Sequence, residues 1–371
     1  MKIAPFETEQ FFARHEFSTP YQLCNSDCES LSIAELLALA GESPEQLGRQ
    51  RLGYTESRGN PELRRSIASL HTAVNAEDVV MLGTPVEGIY LVARSLLDPG
   101  DEVIVLTPAY DALINMFEHV VGAKQVRRWK IMPTTTSWEL DLDDLRRLIT
   151  PKTRLVVVNF PHNPTGYLPA PGFQQELTAL IGEHGLKLFS DEMYFGLVQE
   201  GTAPIPSAAD LTKNAIALSG LSKTYGLPGL RSGWLIVRDE AVRENIMNWK
   251  FYTSICPPGP SEYLAQLALR AGKTLRDRNV ARIAQNIERA DAFFARWPDL
   301  FRWRRPSAGS TALVGYDVPS VSAVSERLAQ EEGVLIQSAC MLGAGDQHMR
   351  IGLGRDNFAV GLGKFEDWLK R

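Results

Sequence analysis

The stretch LSGLSKTYGLPGLRSGW (218–234) carries one lysine, Lys223, between a small apolar segment and a glycine-containing loop. The segments AIALSG (215–220) and GWLIV (233–237), which overlap its two ends, are short and apolar, as buried strands are. Open α/β sheets bind their ligands beyond the carboxyl ends of their strands. We therefore predict that Lys223 lies at the end of a sheet, next to a ligand site.

Further apolar segments alternate with longer helical patterns through the middle of the chain. We predict strands over 102–108, 154–160, 186–191, 215–220 and 233–237, and helices over 86–97, 110–121, 141–149 and 172–184. Apolar strands of this kind are buried on both faces, which favours a mainly parallel sheet covered by helices. The predicted fold class is therefore α/β.

The C-terminal part of the chain has a different pattern. A charged helical pattern over 261–297 precedes short apolar segments in TALVGYDV (311–318), GVLIQSAC (333–340) and HMRIGLG (348–354). Short strands after a long helix indicate a smaller α+β unit.

A chain of 371 residues is long enough for two domains. We place the junction at PPGP (257–260), because proline disfavours both helix and sheet. The N-terminal segment is expected to pack on the smaller unit. The predicted domains are a large α/β domain at 46–260 and a small α+β domain formed by 1–45 and 261–371.

The composition narrows the range of functions. A net charge of −5 argues against a nucleic-acid partner, since phosphate backbones attract basic surfaces. The N-terminus has no apolar signal-peptide core, and no run approaches the length of a membrane span, so we expect a cytoplasmic protein without a membrane partner. The four cysteines lack metal-ligand spacing, so we expect reduced thiols and no metal.

One helix start upstream of the lysine has a pattern of its own. Thr84-Pro85-Val86-Glu87 matches a capping box with proline at the first helical position. One interpretation is a well-capped helix and nothing more. The other is that free amides at this N-terminus hold a phosphate.

Three predicted strands end in residues with possible ligand chemistry. Tyr110 either stacks on a flat ligand or belongs to the core. Asp191 either forms a salt bridge or pairs with a protonated ring nitrogen. NFPHNPTGYL (159–168) is too irregular for a simple turn and predicts part of a site, with His162 as an ordinary loop residue.

Together these residues match the chemistry of pyridoxal 5′-phosphate (PLP). That cofactor needs a lysine for a Schiff base, an acid beside its ring nitrogen, and amides or basic groups at its phosphate. Lys223, Asp191, Arg231 and the helix start at Thr84 offer these groups.

From YTESRGNPELR (54–64) to MRIGLG (349–354) the chain resembles the class I/II aminotransferases, which are fold-type-I PLP enzymes. The order and spacing of TPAY (107–110), NPTG (163–166) and DEMY (191–194) carry this resemblance, together with the stretch around Lys223. It implies the PLP-dependent transferase fold, with a mainly parallel sheet in a large domain and a smaller α+β domain.

The resemblance also implies roles for residues around the cofactor ring. Lys223 forms the Schiff base and shuttles a proton, and Asp191 pairs with the ring nitrogen. Tyr194 and Asn163 bind the 3′-oxygen, and Tyr110 stacks on the ring. The Asn163–Pro164 bond is expected to be cis.

Other implied roles concern the phosphate, the substrate and a second subunit. Arg231 binds the phosphate together with further groups, namely Ser222, Thr84, Pro85 and Val86. Arg350, together with Asn163, binds the α-carboxylate of the substrate. Tyr54 reaches the phosphate of the neighbouring subunit, which implies a homodimer with shared active sites.

The sequence departs from the family pattern at the phosphate site and near the N-terminus. Gly220 stands where many members carry a phosphate-binding serine, so Ser219 or Ser222 is expected to substitute, or one contact is missing. Pro85 removes one amide. The segment LCNSDCESLSIAELL (23–37) replaces a glycine-containing stretch near the substrate.

Two acids in that segment allow two interpretations. Asp27 and Glu29 are typical of the first turn of a helix capped by Ser30 or Ser32. Alternatively, one of them recognises a cationic substrate side chain, because PLP cyclases that act on arginine derivatives belong to the same superfamily.

The predicted function is a PLP-dependent aminotransferase that acts on a small amino acid and a 2-keto acid. The alternative is a PLP-dependent lyase, decarboxylase or cyclase on the same scaffold, for example on an arginine-like substrate. Both need Lys223, Asp191 and Arg231.

Overall fold

The computed structural model describes residues 3–371. Its strands are β1 (Tyr21–Gln22), β2 (Val79–Leu82), β3 (Glu102–Thr107), β4 (Val126–Lys130), β5 (Met132–Pro133), β6 (Trp138–Glu139), β7 (Thr153–Asn159), β8 (Lys187–Asp191), β9 (Ala215–Gly220), β10 (Gly233–Val237), β11 (Phe301–Arg302), β12 (Thr311–Tyr316), β13 (Val334–Leu335), β14 (Gln337–Ser338) and β15 (His348–Gly352).

The α-helices surround these strands. They are α1 (Glu7–His15), α2 (Ile33–Ala40), α3 (Pro44–Gly48), α4 (Pro61–Ala68), α5 (Pro85–Leu96), α6 (Ala112–Val121), α7 (Leu142–Leu148), α8 (Phe173–Glu183), α9 (Ala208–Leu211), α10 (Glu240–Phe251), α11 (Gly259–Arg270), α12 (Gly272–Phe294), α13 (Val321–Glu332) and α14 (Phe358–Leu369).

A seven-stranded sheet in the order β2-β10-β9-β8-β7-β3-β4 forms the centre of the molecule. The strands from β9 to β4 run parallel to their neighbours, and β10 runs antiparallel to both β2 and β9. The five strands predicted from sequence agree with β3, β7, β8, β9 and β10 to within one residue at either end. The mainly parallel α/β prediction is confirmed.

The two edge strands, β2 and β4, were not predicted. β2 has only four residues, and β4 carries the charged residues Arg127, Arg128 and Lys130 in a five-residue segment. An edge strand has one unpaired side and tolerates polar residues, so the charges of β4 interrupt its apolar pattern. β2 (VVML) is apolar throughout, but it is short.

The central strands are buried on both faces because their side chains alternate between two cores. Val103 and Val105 of β3 face a core that includes α5 and α6. Ile104 and Leu106 of the same strand face a second core that includes α7 and α8. Because the strands from β9 to β4 run parallel, their carboxyl ends lie at one edge of the sheet.

A four-stranded antiparallel sheet in the order β11-β12-β15-β14 lies in the C-terminal part. The helical pattern predicted over 261–297 forms two helices, α11 and α12, which are separated at Ala271. PPGP leads into α11, whose first residues are Gly259 and Pro260, and proline is well tolerated in a first helical turn.

The N-terminal segment contacts both sheets. β1 pairs in parallel with β13, and the amide of Gly352 donates to the Leu23 carbonyl over 2.7 Å. In contrast, Leu36 and Leu37 of α2 pack in a cluster with residues of β2, β10 and α11. The domain boundaries given above stay a prediction.

Among residues 3–371, no helix combines the length and the apolar character that a bilayer crossing requires.

Candidate active site

A cavity of about 480 Å³ opens at the carboxyl ends of the parallel strands. All the site residues predicted from sequence except Tyr54 line it: Thr84, Pro85, Val86, Tyr110, Asn163, Asp191, Tyr194, Ser222, Lys223, Arg231 and Arg350. Tyr54 is 93% exposed and lies outside this wall, so its contact with a second subunit stays a prediction.

Lys223 follows β9 and points into the cavity. Its Nζ donates a hydrogen bond to Ser26 Oγ over 2.8 Å. Burial lowers the pKa of Lys223, and the nearby Asp27 carboxylate opposes that shift. Thr224 Oγ1 anchors the loop by donating to the Met193 carbonyl over 3.1 Å. A lysine with a lowered pKa is a better nucleophile, because more of it is present as the neutral amine.

Asp191 is the last residue of β8 and is 7% exposed. Its Oδ1 accepts a hydrogen bond from the Met193 amide over 3.1 Å. Burial raises the pKa of Asp191 to about 6, against the lowering effects of that amide and of Lys223. At pH 7 the group is therefore mainly ionised and is suited to hold a proton on a ligand ring nitrogen.

The loop after β7 is positioned by an asparagine that was not predicted as a site residue. Asn159 Nδ2 donates to the Asp191 carbonyl over 2.8 Å, and Asn159 Oδ1 accepts from the Asn163 amide over 2.7 Å. The Asn163–Pro164 bond is cis, as expected. The sequence did contain a sign of this role: Asn159 is a polar residue at the end of a buried strand, and that strand is the neighbour of the strand that ends at Asp191.

His162 in the same loop is a buried structural residue. It lies 2% exposed, and its Nδ1 is 2.7 Å from Thr165 Oγ1. Burial lowers its pKa to about 4, so the ring is neutral at physiological pH. This agrees with its interpretation as an ordinary loop residue.

The first turn of α5 and Arg231 bring together donor groups of the kind that bind an anion. Arg231 Nη2 donates to Thr84 Oγ1, and helix first turns present N–H groups that lack intrahelical acceptors. Pro85 occupies the first helical position, as predicted.

The capping box predicted at Thr84 and Glu87 is wrong. The Thr84 side chain makes no cap, because its hydroxyl is engaged by Arg231. Glu87 accepts instead from the Gly83 amide over 3.0 Å and from Thr253 Oγ1 over 2.6 Å. Thr84 is thereby directed towards the cavity.

Gly220 allows Pro85 to pack closely against the sheet. A Cβ atom at Gly220 would lie 2.9 Å from Pro85 Cγ and 3.0 Å from the Ser232 carbonyl oxygen. At the neighbouring Gly233 it would lie 2.7 Å from Pro85 Cγ. A serine at position 220 is therefore incompatible with this packing.

The two serines near Gly220 lie in different environments. Ser219 Oγ donates to the Glu192 carbonyl over 3.3 Å and is absent from the cavity wall. Ser222 lines the cavity. Of the two expected substitutes, only Ser222 is placed to contact a bound anion.

We predict that Gly220→Ser destabilises the protein by about 1–3 kcal/mol, the usual cost of overpacking a tight site. Cofactor affinity falls rather than rises, because Pro85 and the first turn of α5 are displaced. Denaturant unfolding and cofactor titration measure the two effects. The double change Pro85→Ala with Gly220→Ser should recover part of the stability. Tighter cofactor binding by Gly220→Ser at unchanged stability contradicts this account.

Arg350 of β15 is 1% exposed and forms the opposite wall of the cavity. Its Nε and Nη2 donate to the Cys24 carbonyl over 3.1 and 3.0 Å, and its Nη1 lies 3.4 Å from Asn163 Oδ1. The guanidinium has more N–H donors than these contacts use. It is therefore placed to bind a carboxylate while its orientation stays fixed.

Helix α1 covers the cavity, and it was not predicted as part of the site. Glu9 Oε1 accepts from the Tyr110 hydroxyl over 2.6 Å, and the Phe12 ring lies 5.9 Å from the Arg350 guanidinium carbon. Glu9, Phe12 and Glu16 all line the cavity. Their spacing of three and four residues places them on one helix face. This spacing is visible in the sequence and could have indicated a shared surface.

Tyr110 is half-buried between the cavity and α1. Its ring centroid is 5.2 Å from that of Phe6, and the ring lines the cavity. It thus combines packing with access to a ligand, the two alternatives that the sequence left open.

The placement of Asp27 and Glu29 in a helix first turn is wrong, although Ser32 caps the following helix as one of the two expected serines. α2 begins at Ile33 with a complete capping box between Ser32 and Glu35, so both acids precede the helix. Asp27 lines the cavity, and both its oxygens lie 3.0 Å from Arg355 Nη2. Glu29 also pairs with Arg355, at 3.6 Å, and lies outside the cavity wall.

Comparison with known proteins gives the family. The sequence model of "Aminotransferase class I and II" matches residues 22–357, which is most of the chain. The chain belongs to the class I and II aminotransferase family. Its fold is fold type I, and its cofactor is PLP.

Members of this family similar to the chain have different activities. Capreomycidine synthase of Streptomyces vinaceus is 30% identical over 350 residues, which cover 93% of this chain and 88% of the synthase. An arginine–pyruvate transaminase of Pseudomonas aeruginosa is 33% identical over 231 residues, which cover 60% of this chain and 53% of the transaminase.

The solved structure of a PLP-dependent aminotransferase from Streptococcus suis has a TM-score of 0.92 and 30% identity. The match covers 100% of this chain and 99% of the Streptococcus suis chain. This agreement establishes the family architecture for the whole length of the protein.

The cavity residues fit the family cofactor in charge and donor type. The Asp191 carboxylate suits a protonated ring nitrogen, and the Arg231 guanidinium with Thr84 suits a phosphate. Lys223 points into the same cavity. Side chains of the required types are thus present in one wall.

Proposed function

We propose that the protein is an aminotransferase that moves the amino group of an α-amino acid to a 2-keto acid. The supporting observation is that Arg350, a donor for the α-carboxylate, and Lys223, an amine nucleophile, line one cavity. Both partners of such a reaction carry a carboxylate next to the reacting carbon, so one guanidinium can bind each of them in turn.

The residues around the ring have distinct tasks in this proposal. PLP, when bound, supplies an electron-withdrawing ring that stabilises negative charge at the substrate Cα. Asp191 would balance the proton on the ring nitrogen, and Asn163 and Tyr194 would donate to the 3′-oxygen. Tyr110 would pack against the ring.

Tyr194 is suited to donate because its phenol stays protonated. Burial raises the pKa of Tyr194 far above its usual value, and the Arg350 guanidinium and the Ser26 hydroxyl oppose this only in part. The residue is 4% exposed, so its hydroxyl is directed by the protein rather than by solvent.

The phosphate is bound in this proposal by Arg231, Thr84 and Ser222, with the first turn of α5 at Pro85 and Val86. Arg231 lies in the left-handed region, with φ of 46°, and its Nη1 donates to the Pro228 carbonyl over 2.8 Å. This holds the guanidinium towards Thr84.

Lys223 carries the proton in the reaction. Its lowered pKa favours the neutral amine, which would accept the proton that leaves the substrate Cα and hold it on Nζ. Arg350 and Asn163 keep the substrate carboxylate fixed during this transfer.

The remaining proposals concern substrate size and assembly. Phe6 and Phe12 narrow the cavity under α1, which supports a small amino acid. Tyr54 is 93% exposed and Leu52 is 87% exposed, so both are free to contact a second subunit. We propose a homodimer in which Tyr54 reaches the phosphate of the neighbouring subunit.

The alternative is a lyase, decarboxylase or cyclase that acts on an arginine-like substrate. Besides Asp191, three carboxylates line the cavity, those of Glu9, Glu16 and Asp27. Burial, and then the charge of Asp27, raise the pKa of Glu16. A cationic ligand in the cavity would lower that pKa again, because it favours the ionised carboxylate. The synthase supports a reaction other than transamination. The arginine–pyruvate transaminase supports only the arginine-like substrate, since its reaction is a transamination.

A substrate screen separates the two functions. An aminotransferase converts its cofactor to the amine form with an amino acid and is restored by a 2-keto acid. A lyase releases ammonia without a keto acid, and a cyclase gives a product that mass spectrometry identifies. The proposal fails if no amino acid gives a keto-acid-dependent cycle.

Variants of the cavity carboxylates test the substrate side chain. If the substrate is cationic, Asp27→Asn and Glu16→Gln reduce turnover of arginine-like compounds more than that of alanine. Glu29→Gln is the matched control, because Glu29 lies outside the cavity wall. An unchanged preference in both cavity variants excludes recognition of a cation by these acids.

A further inference from the structure

Ser26 is the residue that contacts the Lys223 amine. The hydrogen bond from Lys223 Nζ to Ser26 Oγ is 2.8 Å long, and both residues line the cavity. Within residues 3–371 this is the only hydrogen bond that Nζ makes. The position of the amine therefore depends on a hydroxyl 197 residues away in the sequence.

The main chain at Ser26 is held in place by its neighbours. The Ser26 carbonyl accepts from Ser310 Oγ over 2.6 Å. A Cβ atom at Gly352 would lie 1.7 Å from the Asn25 carbonyl oxygen, and one at Gly354 would lie 2.4 Å from that of Asp27. Glycine at both positions lets this segment lie directly against the end of β15, so the hydroxyl is presented from a fixed backbone.

Charged contacts on either side restrict the segment further. Asp27 pairs with Arg355 at 3.0 Å, and the Cys24 carbonyl accepts two hydrogen bonds from Arg350. A hydroxyl can accept one hydrogen bond while it donates another. Ser26 can thus accept from Lys223 and keep its own proton available as a donor. The same hydroxyl partly lowers the pKa of Tyr194, which burial raises.

We propose that Ser26 is a positioning residue for Lys223; this rests on the proposed role of Lys223 as the cofactor-binding lysine. Whenever Lys223 Nζ is not bonded to the cofactor, it donates a hydrogen bond to Ser26 Oγ, which holds the amine in the cavity wall. No covalent step is involved, and the proton stays on nitrogen. The hydrogen bond favours the ammonium form, because a buried charge gains an acceptor.

The test measures the protonation of Lys223 in full-length protein from which the cofactor has been removed. The rate at which an amine-reactive reagent labels Lys223 is followed against pH, with peptide mass spectrometry. The midpoint of this pH profile reports the protonation of Lys223. Ser26→Ala is expected to lower that midpoint by about one pH unit, the shift expected for loss of a charged hydrogen bond. Ser26→Thr keeps the hydroxyl and is expected to restore the wild-type midpoint.

Ser222→Ala is the matched control, because Ser222 lines the cavity beside Lys223 without bonding to its amine. If Ser26→Ala does not fold, Ser26→Gly is measured in the same way. An unchanged midpoint, or an equal fall in Ser26→Thr, overturns the proposal. Borohydride fixation of the cofactor at another lysine would instead overturn the proposed function. The labelling is done without cofactor, so the two failures can be told apart.

Discussion

Lys223→Ala is expected to abolish covalent attachment of the cofactor and to leave only residual activity. Loss of the acid–base group alone lowers turnover by about 10²- to 10⁴-fold, and loss of the nucleophile adds to this. The absorbance of the purified protein, before and after borohydride, shows whether the cofactor is attached. Cofactor that is still fixed by borohydride in the variant contradicts the assignment.

A second lysine provides an internal control in the same measurement. Lys250 is fully buried, and burial lowers its pKa as well, but it lies outside the cavity wall. Peptide mapping of the reduced wild type should place the cofactor on the Lys223 peptide and leave the Lys250 peptide unmodified. A lowered pKa without access to the cavity is not sufficient for attachment.

Asp191→Asn is expected to lower turnover by about 10²- to 10³-fold, the range for one preorganised electrostatic group. The amide keeps the shape of the side chain but cannot balance a proton on the ring nitrogen. The pH dependence of cofactor affinity gives a second test. Burial raises the pKa of Asp191 to about 6, so the wild type should lose cofactor affinity as the pH falls through about 6. The variant should show no such step.

The same shift has a consequence for stability without cofactor. The folded-state pKa of about 6 lies above the reference value of 3.8, so the folded state binds more protons between these values. The free energy of unfolding contributed by Asp191 therefore falls as pH rises from 3.8 through 6. Urea unfolding of the cofactor-free protein should show this slope in the wild type and not in Asp191→Asn. Equal slopes would contradict burial as the cause.

Much of the site could be predicted from short motifs. Lys223 and Asp191 follow or end buried strands that run parallel, so the predicted strand ends already placed them at one edge of the sheet. The remaining motif residues, such as Arg231 and Arg350, were reached through the family resemblance. The structure brings all of them to the same cavity, while Tyr54 is exposed outside it and its contact with a second subunit stays a prediction.

The errors have a common physical origin. The capping box at Thr84 satisfied every local rule, but Arg231 and Thr253 engage its two side chains. Asp27 had the pattern of a helix first turn, but it pairs with Arg355 instead. In each case a partner more than a hundred residues away competes with the expected local interaction, and a short window of sequence does not show that partner.

Short apolar runs that alternate with helical patterns were sufficient for the α/β class and the central strands, because each run is a property of its own segment. The cover of the cavity and the hydroxyl at Lys223 depended on packing between distant segments. Helix α1 reaches Tyr110 and Arg350 only in the folded chain. Ser26 reaches Lys223 because Gly352 and Gly354 let its backbone lie against β15, a close approach that involves three separate parts of the chain.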